Sequence, residues 1–250
     1  MKDMATFRIW RTQPAGGGGF RDYTTAVSDG MVVLDAVHRI QAEQAPDLAV
    51  RWNCKAGKCG SCSAEVNGRP RLMCMTRLNS LDLDEPVMVE PMRAFPPFKD
   101  LVTDVSWNFT QKKGIKKFTP RKPDAPDGTY RMAQRDIDRV QEFRKCIECF
   151  LCQDVCHVLR DHRKYAEFIG PRFLIHVAAL EMHPLDTQNR IPELKDDYNI
   201  GYCNITKCCT KVCPEQIKIT DNAIIPLKER VVDEFYDPFK SILRLFRPKV

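Results

Sequence analysis

The sequence has no apolar run long enough to cross a bilayer. Its longest, Phe173 to Leu180, is interrupted by His176, whereas a spanning helix needs about 20 consecutive apolar residues. The chain is therefore not expected to be an integral membrane protein. The opening Met1-Lys2-Asp3-Met4 has neither an apolar h-region nor a twin arginine, so export is not expected, and Met4 is an alternative start. Charge of one sign is also scarce. Lys plus Arg number 39 and Asp plus Glu 33, a net +6, which is too mild for a nucleic-acid signature. The basic residues lack the interleaved aromatics of a single-strand platform, so no nucleic-acid partner is expected. Gly16 to Gly19 is not followed by Gly-Lys-Ser/Thr, so it reads as a hairpin connection and not a phosphate cradle. With 43% hydrophobic and 29% charged residues over 250 positions, the chain has the composition of a folded protein with one large or two small domains.

What the sequence has in excess is cysteine, with 12 residues. Six disulfides are not expected in a reducing compartment, and a chain of this length buries a core without staples. The cysteines fall into three groups of four: Cys54, Cys59, Cys62 and Cys74; Cys146, Cys149, Cys152 and Cys156; Cys203, Cys208, Cys209 and Cys213. Scattered core thiols do not bunch in this way, so metal ligation is the reading that spacing favours.

Local patterns divide the chain. Ala5 to Trp10 and Asp22 to Val27 read as strands. Ser28 or Asp29 is the expected cap of a helix whose apolar face is Met31, Leu34, Val37 and Ile40. Leu48 to Trp52 reads as a short buried strand. Ser63 to Val66, Arg71 to Cys74 and Val87 to Val89 are further strands, with Asn67-Gly68 as a hairpin turn. Pro91 to Phe98 reads as a linker. Gln111 to Pro126, rich in lysine and proline, reads as a solvated loop, with a basic patch for an acidic partner or anionic lipid as the lesser alternative. From Met132 the pattern is helical: Arg135 to Lys145, then a helix opened by Gly170-Pro171 that ends before Pro184. A later segment is lined by Ile224, Leu227 and Val231, with Thr220 or Asp221 as its cap. Pro226 predicts that this last helix starts late or kinks. Phe235, Phe239, Ile242, Leu243 and Phe246 form a stripe at helical spacing. It is either core or, beside Lys240, Arg244, Arg247 and Lys249, a face that docks on a membrane subunit.

The cysteine spacings carry the chemistry. Cys54-x4-Cys59-x2-Cys62, completed by Cys74, is the plant-type pattern for a [2Fe–2S] cluster. Gly57 and Gly60 allow the tight, positive-φ loop that turns backbone N–H groups toward sulfur. Lys55 and Lys58 add positive potential. A four-thiolate zinc site uses two short Cys pairs, which this continuous loop does not provide. Cys146-x2-Cys149-x2-Cys152-x3-Cys156 is the bacterial ferredoxin run, in which the fourth cysteine serves the other cluster. Counting back from Cys213-Pro214 gives the second run, Cys203-x2-Thr206-x2-Cys209-x3-Cys213, with threonine in place of one thiolate. The cross-over assigns Cys146, Cys149, Cys152 and Cys213 to a [4Fe–4S] cluster. It leaves Cys156, Cys203 and Cys209 for a cluster short of one ligand, expected to be [3Fe–4S]. Cys208 falls outside the run, and an inert packed thiol is favoured over a ligand.

These residues together resemble the iron–sulfur subunit of succinate dehydrogenase and fumarate reductase (complex II), along essentially the whole chain. Arg51 to Cys62 is similar to that family's first-cluster loop, Phe98 to Val102 to its inter-domain stretch, and Phe168-Ile169-Gly170-Pro171 to its helix opening. The resemblance implies an α+β fold: an N-terminal plant-type ferredoxin (β-grasp-like) domain, residues 1–104, and a C-terminal all-helical bacterial-ferredoxin-like domain, residues 105–250. It implies electron transfer within a succinate:quinone oxidoreductase. Electrons would pass from FAD in a flavoprotein subunit through [2Fe–2S], [4Fe–4S] and [3Fe–4S] clusters to quinone at an integral membrane anchor, with no dicarboxylate site in this chain. Placement is then peripheral, on the cytoplasmic face of the bacterial plasma membrane. The sequence departs from many relatives by His157 after a ligand position, by Arg160 and Asp161 where tryptophans stand in ubiquinone-linked members, and by Asn204 where those members have histidine. The quinone pocket therefore does not transfer residue by residue. His157 and Lys228 are the quinone-side candidates, and for His157 a structural role is an equal alternative. His162, His176 and His183 read as surface or packing residues. Fumarate reduction in the reverse direction, the iron–sulfur subunit of another flavoenzyme, and a zinc-binding interaction module are the competing functions.

Overall fold

The computed structural model describes residues 3–13 and 16–238. Of the expected C-terminal stripe, Phe239, Ile242, Leu243 and Phe246 lie outside the described residues, as do Lys240, Arg244, Arg247 and Lys249. Strand β1 (Met4–Thr12) alternates strictly, with Ala5, Phe7, Ile9 and Arg11 inward, the period-two pattern of a half-buried strand. It pairs antiparallel with β2 (Gly18–Ala26). The chain then forms α1 (Val33–Glu43), β3 (Ser63–Val66), β4 (Arg69–Leu72) and β5 (Val87–Glu90). The five strands stand in the order β2-β1-β5-β3-β4, with β5 parallel to β1 and antiparallel to β3. Helix α1 buries Val33, Leu34, Ala36, Val37 and Ile40 in the core of this unit. The Asn67-Gly68 turn has φ of 49° and 70°, the left-handed pair a tight hairpin requires.

Four local expectations are corrected here. Helix α1 is not capped by Ser28 or Asp29. Val32 bridges Arg77 in extended conformation, so the helix starts at Val33, and Asp35 reaches back to accept from the Val32 N–H at 3.1 Å. Leu48 to Trp52 is not a strand. The Ala49 N–H donates to the Asp100 carboxylate at 2.8 Å, a side chain taking the place of a ladder, and Trp52 is 47% exposed. Strand β4 ends at Leu72, because Met73–Met75 forms a 3-10 turn that carries Cys74 inward. Pro91 to Phe98 is no free linker. Met92, Ala94 and Phe95 are buried, and β6 (Pro97–Lys99) pairs with β7 (Val102–Thr103).

The rest is mostly helical: α2 (Ser106–Gly114), α3 (Gln134–Gln141), α4 (Leu151–Asp154), α5 (His157–Arg160), α6 (Pro171–Glu181), α7 (Ile191–Asp196), α8 (Cys208–Val212) and α9 (Ile225–Phe235). The two-part α+β division expected from the sequence is therefore present. Helix α6 starts at Gly170-Pro171, with Gly170 at φ +84° and proline in the first turn, and ends before Pro184. It buries Phe173, Leu174 and Val177, each worth roughly 1.5–3 kcal/mol on removal from water. The regular helix α9 does start late, at Ile225. Ile219–Ile224 before it is a π-turn, which buries Thr220 and leaves it no capping role. Gln111 to Pro126 is largely the solvated loop expected: after the end of α2 at Gly114 most of it is exposed, though Ile115 is buried and Arg190 holds the carbonyls of Lys116 and Lys117 at 3.0 and 2.9 Å. Among the described residues no helix is long and apolar enough to cross a membrane.

His176 on α6 gives a pH test of this packing. Burial, reinforced by Arg172 and Lys112 and opposed by Glu148, carries its pKa down to about 4. The folded protein holds it neutral, while the unfolded chain protonates it near 6.5. Stability should be full above about 6.5 and should fall as the pH drops toward 4. The urea midpoint measured across that window should lose part of this slope in His176→Gln. An identical slope in the variant would remove His176 from the account.

Candidate iron–sulfur sites and the junction between them

All twelve cysteines are free of disulfides. The first group lies on the loop before β3 and on the 3-10 turn after β4. Lys55, Gly57 and Gly60 have φ of 54°, 67° and 69°, and the loop curls its amides onto sulfur. Cys54 Sγ accepts from the N–H of Ala56 and Lys58 at 3.4 and 3.3 Å, Cys59 Sγ from Ser61 at 3.5 Å, and Cys62 Sγ from Cys74 at 3.5 Å. Such donors stabilise an anionic sulfur. Cys62 and Cys74 are buried and Cys54 is exposed. Lys55 stands over the Trp52 ring at 4.7 Å.

The second and third groups repeat one backbone design. Cys146 and Cys203 each follow a 3-10 turn, at φ −65° and −75°. Glu148 and Phe150 flank Cys149 with φ of 55° and 62°, and Ile205 and Lys207 flank Thr206 with φ of 61° and 61°. Short helices α4 and α8 follow, and Cys156 and Cys213 leave them at φ −72° and −68°. Thr206 thus occupies the position of Cys149. A β-branched residue such as Ile205 in the left-handed region is strained, and strain of this kind is kept where a loop must hold a particular shape.

Each run contributes to two separate cavities. One is lined by Cys146, Cys149, Cys152 and Cys213, with Arg172, Ile175 and Ile219 among its other walls. A second is lined by Cys156, Cys203, Cys208 and Cys209, with His157, Asn204, Thr206 and Thr220. Burial pushes the Cys149 thiol up to about 12 and the Cys156 thiol up to about 11, and moves Cys152 and Cys213 upward as well. These thiols sit in apolar walls that favour a neutral group or a metal-bound sulfur over a free thiolate. Four cysteines on one wall offer the all-thiolate donor set of an iron–sulfur core. His157 lines the second cavity, whereas Lys228, on α9, stands outside its lining.

The two units meet beside the thiols. Gly60, two residues before Cys62, packs against the backbone of Cys149. The Ser63 hydroxyl lies 2.9 Å from the Gly60 carbonyl and 2.8 Å from that of Cys149. Glu65, fully buried on β3, accepts from Arg160 on α5 at 2.9 Å and from the Arg93 N–H at 3.3 Å, and Asp154 accepts from the Ala94 N–H at 2.9 Å. Burial holds Asp154 up to about 7 and moves Glu65 upward against the pull of Arg160 and Arg93. Arg160, which the sequence compares with a quinone-side tryptophan position, is here tied to Glu65 across the junction. Spacing does not reveal this pairing, since the two residues are 95 positions apart.

A plant-type thiol loop joined to a doubled ferredoxin motif defines an iron–sulfur protein of the electron-transfer class. Comparison with known proteins agrees. Residues 6–110 match the family described as a 2Fe-2S iron-sulfur cluster binding domain, and residues 142–217 match a 4Fe-4S dicluster domain. The fumarate reductase iron-sulfur subunit of Mycobacterium tuberculosis is 30% identical over 226 residues, 87% of this chain and 89% of that protein. An uncharacterized iron-sulfur protein of Methanococcus maripaludis is 29% identical over 228 residues; the match spans 88% of this chain but 43% of that longer protein. A chain in the solved Mycobacterium smegmatis Sdh1 complex in the apo form is 61% identical, with a TM-score of 0.90, covering 95% of this chain and 99% of that one. The chain belongs to the family of iron–sulfur subunits of succinate dehydrogenase and fumarate reductase. It is an electron-transfer subunit of a multisubunit complex of that type.

Proposed function

We propose that this chain carries electrons from the FAD of a flavoprotein subunit to quinone at a membrane anchor, as the iron–sulfur subunit of a succinate:quinone oxidoreductase. Residues 1–104 form its [2Fe–2S] domain, held by Cys54, Cys59, Cys62 and Cys74. Residues 105–250 form the helical domain. There Cys146, Cys149, Cys152 and Cys213 hold a [4Fe–4S] cluster, and Cys156, Cys203 and Cys209 a [3Fe–4S] cluster. The observation that carries this reading is the cross-over itself: Cys213 lines the cavity of the first run, and Cys156 that of the second. When bound, such clusters accept and release single electrons. The polypeptide supplies thiolates, excludes water and sets the order of the sites. His157, on the wall of the second cavity, is the stronger quinone-side candidate, and Lys228 the weaker. The chain contributes no dicarboxylate site. The complex holds it peripherally on the cytoplasmic face of the membrane. The same relay run backward serves fumarate reduction, the direction for which the Mycobacterium tuberculosis relative is named.

The test is electron paramagnetic resonance of the intact complex during titration with succinate and with quinol. Three distinct centres should be reduced by succinate. Cys209→Ser should abolish the three-iron signal and quinone reduction while leaving the [2Fe–2S] signal intact. An unchanged three-iron signal would break the ligand assignment. Thr206→Cys should give a four-iron centre at that site that survives exposure to air. A three-iron spectrum after anaerobic iron loading of that variant would overturn the argument from threonine.

A further inference from the structure

The second cavity is lined by four cysteines, although the ferredoxin spacing accounts for three. The extra one is Cys208. By the repeated turn geometry its counterpart in the first run is Leu151, which is absent from the lining of the first cavity. The Thr206 hydroxyl donates to Cys208 Sγ at 3.2 Å. The thiol therefore sits beside the one ligand position of the run that carries no sulfur. Cys208 also lines the cleft between the two units, with Arg69, Arg71 and Lys211. Its sulfur is thus placed in a wall shared by the cavity and an open, basic cleft.

We propose that Cys208 is a conditional fourth ligand, which lets the second cavity take up and release a fourth iron. The inference rests on the three-ligand assignment above and adds a residue to it. Cys156, Cys203 and Cys209 hold three corners. Thr206 offers the fourth corner a neutral hydroxyl, a poor match for iron beside thiolates. Cys208 offers a thiolate, and to do so it must give up its side-chain hydrogen bonds with Thr206, Cys209 and His157. The step balances without electron transfer: a reduced [3Fe–4S]0 core and Fe2+ give [4Fe–4S]2+. An Fe–S bond to Cys208 forms, and the thiol proton leaves to solvent. Transfer of one electron to an oxidant, ferricyanide in the test below, followed by loss of Fe2+ and return of a proton to Cys208, gives the oxidised [3Fe–4S]1+ core. The centre then exists in two compositions set by reductant and iron supply. The nonligand reading of Cys208, favoured by spacing alone, is replaced by one that follows from where the thiol lies.

The experiment uses the intact complex under anaerobic conditions, reduced with dithionite and offered 57Fe2+. After desalting, Mössbauer and paramagnetic resonance spectra count the iron retained. The wild-type complex should gain one 57Fe per chain and lose its oxidised three-iron signal. Ferricyanide should restore that signal and release the label. Cys208→Ala, with Cys208→Ser as a second variant that keeps side-chain volume, should keep the three-iron signal and gain no iron. Uptake in either variant equal to wild type, or a persistent three-iron signal and no uptake in wild type, would overturn the role of Cys208. A wild-type complex with neither a three-iron nor a four-iron centre at this site would instead overturn the ligand assignment, and the inference with it.

Discussion

Replacing Arg190 by methionine should destabilise the helical unit by about 3–5 kcal/mol, the range for breaking a buried ion pair by removing one partner. Arg190 is 0% exposed and is the largest fully buried side chain among the described residues. Its guanidinium donates to the carbonyls of Lys116 and Lys117 at 3.0 and 2.9 Å and to Asp186 at 2.8 Å. Its own N–H donates to Glu181 at 2.8 Å. Methionine fills similar volume but leaves Asp186 as a buried carboxylate without its cation, while Glu181 keeps the backbone N–H of residue 190 and Arg230, and it frees two part-buried carbonyls. Lysine should not rescue, because a single ammonium cannot span three acceptors that a planar fork reaches at once. The anchored segment begins with Lys116 and Lys117, which are already exposed, so its release should loosen the backbone there and speed tryptic cleavage. The check is the urea midpoint of the anaerobically prepared protein together with the rate of trypsin cleavage near Lys117. Near-wild-type values for both in Arg190→Met would show that the segment is held by something else.

Arg190 also shows where sequence reading stops. The lysine- and proline-rich stretch is mostly exposed, as its composition predicts. What composition does not announce is that one arginine more than 70 positions away holds its first carbonyls. Asp100 is similar. It is fully buried and accepts from Thr12 N–H and Ala49 N–H, both at 2.8 Å, and from Arg11 at 3.2 Å. It thereby replaces the ladder that the apolar run Leu48 to Trp52 suggests. Elements whose burial is periodic were legible: β1, the α1 face, α6, and the delayed start of α9 signalled by Pro226. Helix α2 was not, because Ser106 to Gly114 has little apolar periodicity and is fixed by partners from elsewhere. Asn108 contacts Gln153, Phe109 meets the Phe150 ring at 6.0 Å, and Lys112 pairs with Glu148.

The candidate site was more legible than the fold, for a physical reason. Most ligands to a compact inorganic core come from one short stretch of chain, so the spacing of those stretches is visible locally, and only the cross-over of Cys156 and Cys213 joins distant segments. The grouping into four, four and four, and the threonine gap at Thr206, needed no tertiary information. The position of Cys208 did. One residue off the repeat, it is either wall or ligand depending on the left-handed turn at Lys207, and that turn is set by backbone geometry that composition does not encode. The junction residues Ser63, Glu65, Arg93, Asp154 and Arg160 were equally hidden, since each reads as an ordinary surface polar residue until the two units are brought together.

Gly60→Ala should separate the two units at the point where their thiol loops touch. Gly60 has φ +69°, and a Cβ there would meet Cys149 Cα at 2.7 Å and Cys149 N at 3.0 Å. The obstacle is backbone, so no rotamer relieves it. The left-handed conformation costs alanine about 1–2 kcal/mol, and overpacking a close contact about 1–3 kcal/mol more. The least costly relief is movement of the Cys146–Cys152 segment away from the first thiol loop, which also stretches the Ser63 hydroxyl from the Cys149 carbonyl. Ser63→Ala removes that hydroxyl without a clash and should cost only about 1 kcal/mol, the net worth of one hydrogen bond. The decisive comparison is kinetic. Freeze-quenched resonance spectra of the complex after mixing with succinate should show both centres assembled in Gly60→Ala, but slower passage from the first to the second than in Ser63→Ala or wild type. If Gly60→Ala assembles both centres, unfolds at the wild-type urea midpoint and passes electrons at the wild-type rate, the contact between Gly60 and Cys149 is not what sets the approach of the two sites.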